Sequence, residues 1–174
     1  MILVDTDVIS ALAKIGRLQL LLILFKRDYF LITPGVLAEL SHSLAMGRQY
    51  AEIVFRFVKD GHIQVITLTP IETTFRDSLP DTLGAGERES IAVAREREGT
   101  VISNESRVAH YCYQLSVPCI RLPGILRALW VEGIVSRQEV QMMIENLQSE
   151  DRMQFKQETL DAIFAESNPT TRSP

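Results

Sequence analysis

The first apolar run, Ile2 to Val4, stops at Asp5, Thr6 and Asp7, and apolar residues resume from Val8 to Lys14 at helical spacing. A second apolar stretch, Leu18 to Phe25, reads as another helix, and Tyr29 to Ile32 as a strand. Short β-branched runs alternating with longer helical patterns predict an α/β fold. Gly16 stands where the first helix should end, and Thr33 followed by Pro34 gives a cap and a proline at the first helical position of a helix from Gly35 to Met46. After Gly47 the pattern predicts a helix over Tyr50 to Lys59 and a strand over His62 to Leu68. From Pro70 to Gly86 the periodic signal fades, and a partly helical connector is expected there. A helix from Glu87 to Glu98, a strand from Thr100 to Ser103, a helix from Asn104 to Leu115 and a last strand from Pro118 to Leu122 complete the βα units of one sheet.

Beyond Pro123 the pattern is wholly helical, with apolar residues three and four apart in Ile125 to Trp130, Val140 to Leu147 and Phe155 to Phe164. The expected organisation is therefore a domain over residues 1–122, a C-terminal helical extension over 123–166 packed on the same domain, and a polar tail over 167–174. The helices of the extension would pack on the sheet or form a dimer surface. The tail, SNPTTRSP, buries nothing and is expected to be mobile.

A chain of 174 residues can bury most of its apolar surface without staples. Cys112 and Cys119 match neither a CxxC redox spacing nor a zinc ribbon, so both read as small core residues, which suits the reducing cytoplasm. No basic segment precedes a long apolar stretch at the N-terminus, and the chain reads as soluble, without a membrane segment. Lys and Arg total 18 against 22 Asp and Glu, for a net charge of −4, which excludes nucleic-acid binding by bulk positive charge. Any nucleic acid must be met through a local patch or a metal.

Open parallel sheets bind ligands beyond the carboxyl ends of their strands, which gives weight to the acids placed there. Asp5 occupies one such end, and Asn104 and Glu105 another, directly after Val101 to Ser103. Glu87 lies in the first turn of a helix behind the stretch LGAGE, where the helix dipole favours an anion. Glu39 falls at the margin of the Val36 and Leu40 stripe. Each has a plain structural reading as well. Asp7, closest to the helix, is expected to be its N-cap, Asn104 is an ordinary cap type, and Glu89 reads as an exposed neighbour of Glu87.

Taken in order, VDTDVISALAKIGRL, TPGVLAEL, LGAGERESIAVA and VISNESRVA resemble the four motifs of the PIN domain family, over Ile2 to about Arg121. The helical tail after LPGILRALWVEGIV resembles the toxin-like branch that carries extra C-terminal helices. The resemblance implies a three-layer α/β/α domain with a central parallel sheet, and an acid cluster that binds Mg²⁺ or Mn²⁺ and cuts RNA. Carried onto this chain, the acids are Asp5, Glu39 and Glu87, with Asn104 where the family usually has a fourth Asp. Asn offers a neutral oxygen and no charge, so metal affinity should fall or one of two sites be lost; Glu105 beside it is a substitute. The resemblance also implies RNA as substrate, a small antitoxin protein as partner, and a homodimer.

Hard cations take oxygen ligands, which accounts for carboxylates in place of His or Cys, and Thr6 and Ser103 are expected to support the cluster by hydrogen bonds. His42, His62 and His110 share no spacing, no base accompanies a serine nucleophile, and GxG before acids lacks the rest of a dinucleotide fingerprint. Lys14, Arg17, Arg88 and Arg107 are the candidate RNA-phosphate contacts. Two readings remain: a divalent-metal-dependent ribonuclease, and a PIN-fold module that no longer cuts but binds RNA or protein.

Overall fold

Five short strands, β1 (Ile2–Val4), β2 (Phe30–Ile32), β3 (Ile63–Val65), β4 (Thr100–Ile102) and β5 (Cys119–Ile120), pair in parallel in the order β3-β2-β1-β4-β5. This is a computed structural model describing residues 1–166; the expected mobile tail, 167–174, lies outside the described residues. Because every pairing is parallel, each connection must cross over through helix. The helices are α1 (Thr6–Lys14), α2 (Gln19–Phe25), α3 (Pro34–Ala45), α4 (Gln49–Lys59), α5 (Pro70–Ser78), α6 (Ala85–Glu96) and α7 (Ser106–Gln114), followed by α8 (Leu122–Val131), α9 (Arg137–Glu150) and α10 (Gln157–Phe164).

The strand residues alternate between two cores, which is the physical content of a three-layer fold. Val4, Phe30, Ile32 and Ile102 join Val8, Ile9, Leu12 and Leu40 on one face. Leu3 and Val101 join Ile91, Val108 and Cys112 on the other, with Leu31 and Cys119 packed against them. The expected α/β/α architecture with a central parallel sheet is what the chain forms. The C-terminal helices belong to the first core: Leu122, Ile125, Leu126, Leu129, Val140, Met143, Ile144, Leu147 and Ile163 pack with Val8, Ile9 and Leu12. Trp130 donates its indole N–H to the Ile163 carbonyl at 2.8 Å, which fastens α10 to α8. Among the described residues no single helix is long and apolar enough to cross a membrane.

Thr33 caps α3 through its hydroxyl and Pro34 opens the helix, as the Thr-Pro pair predicts, while Gly16 takes a φ of +65° to turn the chain after α1. The partly helical connector expected over residues 70–86 is what forms: α5 occupies its first half, started by a reciprocal cap in which Thr69 accepts from Glu72 N–H and Glu72 accepts from Thr69 N–H. Glu72 is buried and bound by the Arg97 guanidinium, whose hydrogen bonds hold its carboxyl down at about 2.

The direction of chain travel reverses at β1. From β1 the chain runs outward through β2 and β3, then returns to place β4 on the other side of β1 and β5 beyond it. The chain leaving the carboxyl ends of β1 and β4 therefore diverges to opposite faces, α1 to one core and α7 to the other, and in such sheets the crevice between these strand ends is the usual ligand position.

Candidate functional site

Asp5 leaves β1 at this crevice. Its backbone N–H donates to Ile102 O on β4 at 2.9 Å, so the strand pairing continues one residue into the site. The residue is 4% exposed, and its side chain accepts from Thr6 N–H at 2.9 Å, with the buried Ser103 hydroxyl near enough to favour its charged form. Asp5 is thus the N-cap residue of α1, and the expectation that Asp7 fills that place is corrected. The reason is local. With Asp5 in extended geometry (φ −85°, ψ 159°), the helix starts at Thr6, two residues earlier than the apolar periodicity suggested.

Asp7 turns instead toward β4. One carboxylate oxygen accepts from Val8 N–H at 2.7 Å, and the other accepts from the backbone N–H of Asn104, also at 2.7 Å. Asn104 precedes the helix and does not cap it; α7 begins at Ser106 with Glu105 at the cap position making no side-chain bond. The Asn104 carbonyl accepts from the Arg121 guanidinium at 2.9 Å, while its amide oxygen Oδ1 is buried with no hydrogen-bond partner among the described residues.

Glycines bring the two glutamates together. A Cβ on Gly35 would stand 2.6 Å from Gly86 N, and one on Gly86 would stand 2.8 Å from Val36 Cγ2, so the N-termini of α3 and α6 meet at a distance only glycine permits. Glu89, expected to be exposed, is buried at this junction, where its carboxylate accepts from Gly35 N–H at 2.7 Å and faces Arg76 at 3.7 Å. It clasps α6 to the start of α3. Above the junction, Glu39 Oε1 and Glu87 Oε2 lie 3.9 and 3.7 Å from the point a Cβ on Gly84 would occupy. Glu87 accepts from Gly84 N–H at 2.7 Å, and Glu39 accepts the Thr6 hydroxyl proton at 2.5 Å. Asp5, Thr6, Glu39, Glu87, Ser103 and Asn104 are in this way joined through few bonds, while Glu105 remains exposed at the rim.

The electrostatics match that crowding. Burial first, then the Asp7 charge and more weakly Glu87, push the Asp5 carboxyl up to about 7 against the hydrogen bonds from Thr6 and Ser103. Burial also raises Asp7 to about 6, opposed by the Asn104 and Val8 amides and reinforced by Glu105 and Glu87. Such a set gains when a cation arrives.

The candidate RNA contacts divide. Arg88 pairs with Asp81 at 2.8 Å and Arg107 donates to Thr82 O at 2.8 Å, so both brace the loop that leads to Glu87. Lys14 lies at the far end of α1, about 12 Å along the helix from Thr6, and is paired with Asp151 and set over the Tyr50 ring. Arg17 is exposed in the turn beyond it, close enough to Glu139 to act on it electrostatically. The structure does not bring these two to the acids. Sequence reasoning passed over Asp7 as a site group and Arg121 as the brace of Asn104. Asp7 could have been found by placing the cap at Asp5, whereas nothing in the pattern signalled Arg121.

Among the described residues no three His, Cys, Asp or Glu side chains stand ready-made as a metal-ion shell. The donors nevertheless fit a hard cation: they are oxygens, they repel one another, and Asn104 Oδ1 is an orphaned buried acceptor.

A parallel three-layer α/β/α domain with acids gathered at its switch point defines a class of open-sheet folds whose ligand position suits a cation. A family model described as PIN domain matches residues 1–169, and the chain belongs to that family, whose members are generally divalent-metal-dependent nucleases. The match runs through the C-terminal helices as well as the sheet. No curated protein matches the chain.

Proposed function

We propose that the chain is a divalent-metal-dependent endoribonuclease, using Mg²⁺ or Mn²⁺ held by Asp5, Glu39 and Glu87 with Asn104 as a neutral oxygen donor. One observation carries the reading: carboxylates from the end of β1, from α3 and from α6 meet at one mouth, tied by the Thr6 to Glu39 bond and the shared approach to Gly84. When bound, such a cation would lower the pKa of a water and offset phosphate charge. The chain's own part is positional. The Thr6 hydroxyl fixes the Glu39 carboxylate, the Thr6 N–H holds the Asp5 side chain, and the Gly35 to Gly86 contact sets the gap between the two glutamates. Arg88 and Arg107, on the loop beside Glu87, are the nearer cations for RNA phosphates; Lys14 and Arg17 would serve only a longer strand.

Incubating the purified protein with mixed RNAs in Mn²⁺, in Mg²⁺ and in chelator tests this, with Asp5→Asn as control. Cleavage that needs metal and Asp5 supports it, and no cleavage in either metal overturns it. The finer reading, a cytoplasmic toxin held by a small antitoxin protein and acting as a homodimer, rests on the resemblance of the motifs and of the C-terminal helices. A short reading frame immediately upstream would support it, as a solitary gene would weaken it.

Asn104 favours a second reading. With an amide at the fourth position, a module that binds RNA or protein without cutting would show RNA binding in chelator and no cleavage in metal.

A further inference from the structure

Asp7 is a partly buried acid. Among the described residues no Lys or Arg forms an ion pair with it, and the nearby Arg121 donates to the Asn104 carbonyl. The titratable groups that bear on it electrostatically are Asp5 on the preceding strand end, Glu87 on α6, Glu105 at the start of α7 and the Cys119 thiol on β5, none of them a cation. Its two oxygens accept from Val8 N–H and Asn104 N–H, both at 2.7 Å. A carboxylate has about four acceptor positions, so each oxygen keeps one lone pair beyond those amides.

A structural role alone explains the bonds but not the charge. The N-cap of α1 is held by Asp5. A serine or asparagine could accept the Asn104 N–H without placing an anion among three others, and an anion drawn partly out of water beside like charges is costly unless something compensates it. The position that usually carries the fourth acid has Asn104 instead, and it is the backbone N–H of that same residue that Asp7 grips. The side-chain oxygen of that same residue, Asn104 Oδ1, is buried and has no hydrogen-bond partner among the described residues. We infer that Asp7 supplies the fourth negative charge of the cluster, replacing the carboxylate that Asn104 lacks, with Asn104 Oδ1 as the neutral oxygen next to it. The inference rests on the proposed metal site and adds a residue to it.

The test is calorimetric titration of Mn²⁺ at pH 8 into wild type, Asp7→Asn, Asn104→Asp and the double variant, with circular dichroism to confirm folding. Asp7→Asn should weaken Mn²⁺ binding by about tenfold or more, and adding Asn104→Asp to it should recover most of that loss. Binding within about twofold of wild type in Asp7→Asn overturns the inference, as does a loss that Asn104→Asp leaves in place, which would make Asp7 only a brace for the β4 corner. Should Asp7→Asn not fold, Asp7→Ser keeps a small acceptor for the Asn104 amide without charge and is read by the same outcomes. Wild type that binds no Mn²⁺ overturns the metal site and this inference together, whereas metal-dependent RNA cleavage that survives Asp7→Asn with unchanged affinity sinks the inference alone.

Discussion

The Thr6 hydroxyl donates to the Glu39 carboxylate at 2.5 Å, joining residues 33 positions apart and fixing the first helix to the third. Without that bond Glu39, on the margin of its helix, has several rotamers open to solvent. Thr6→Val keeps the shape and removes the donor, so cleavage should fall by about tenfold or more with under about 1 kcal/mol change in stability. Thr6→Ser should restore most of the rate. Equal activity in Thr6→Val would remove Thr6 from the site.

Asp5 gives the pH behaviour its sign. The folded state holds its proton up to about 7, well above the ordinary carboxyl value of 3.8, so between those limits the native state binds a proton that the unfolded chain has released. Stability in chelator should therefore decline as pH rises from about 4 to about 7. Asp5→Asn removes that titration and should flatten the decline, although Asp7, raised in the same direction to about 6, leaves part of it. Saturating Mn²⁺ at pH 8 should raise the melting temperature of wild type by several degrees, on the order expected for a few kcal/mol of ligand linkage, and raise Asp5→Asn far less. Melting curves across pH with and without metal check both statements. Cleavage should be lost in Asp5→Asn and strongly reduced in Glu39→Gln and Glu87→Gln.

The glycine junction makes a third prediction. Gly35→Ala would set a Cβ 2.6 Å from Gly86 N, a backbone atom that cannot move without carrying α6 away from α3. Overpacking of this kind costs about 1–3 kcal/mol. Because Glu39 and Glu87 ride on those helices, RNA cleavage should fall further than stability alone accounts for. Gly124→Ala in α8 is the control: its Cβ would meet only Ile120 Cγ2 at 3.6 Å, and it should be neutral or slightly stabilising with activity intact. A Gly35→Ala protein with full stability and rate would separate the junction from the site.

The alternating apolar runs made the sheet and most helices legible, because burial on both faces of a parallel strand writes itself as a short uninterrupted apolar run. Thr33 and Pro34 marked the start of α3 for an equally local reason. What stayed hidden depended on contacts distant in sequence. Glu89 reads as solvated until α3 supplies the Gly35 amide that it clasps 54 residues away. Helix α5 carries a Thr-Pro-x-Glu start, yet its polar sequence conceals the buried Glu72 until Arg97 is placed beside it. Lys14 has the charge for a phosphate contact, but its direction along α1 carries it to Asp151. Asp5, Glu39 and Glu87 were legible only as an ordered set, since none stands out singly from caps and surface acids.

Asn104 offers the last test, because its amide oxygen is buried without a partner while its carbonyl and N–H are both engaged. Asn104→Asp places an anionic oxygen where a neutral one stands and changes shape very little. In chelator the added charge meets Asp7, and like-charge repulsion should lower the melting temperature and push the Asp5 and Asp7 carboxyls up further. With Mn²⁺ the order should reverse: affinity should tighten by about tenfold, cleavage should rise, and the variant should melt above wild type at pH 8. Glu105 is the competing source of charge, but it is exposed at the rim, so Glu105→Gln should leave Mn²⁺ affinity within about twofold. Calorimetry on the two variants decides between them: unchanged binding in Asn104→Asp together with lost binding in Glu105→Gln would move the fourth ligand from the buried corner to the helix start.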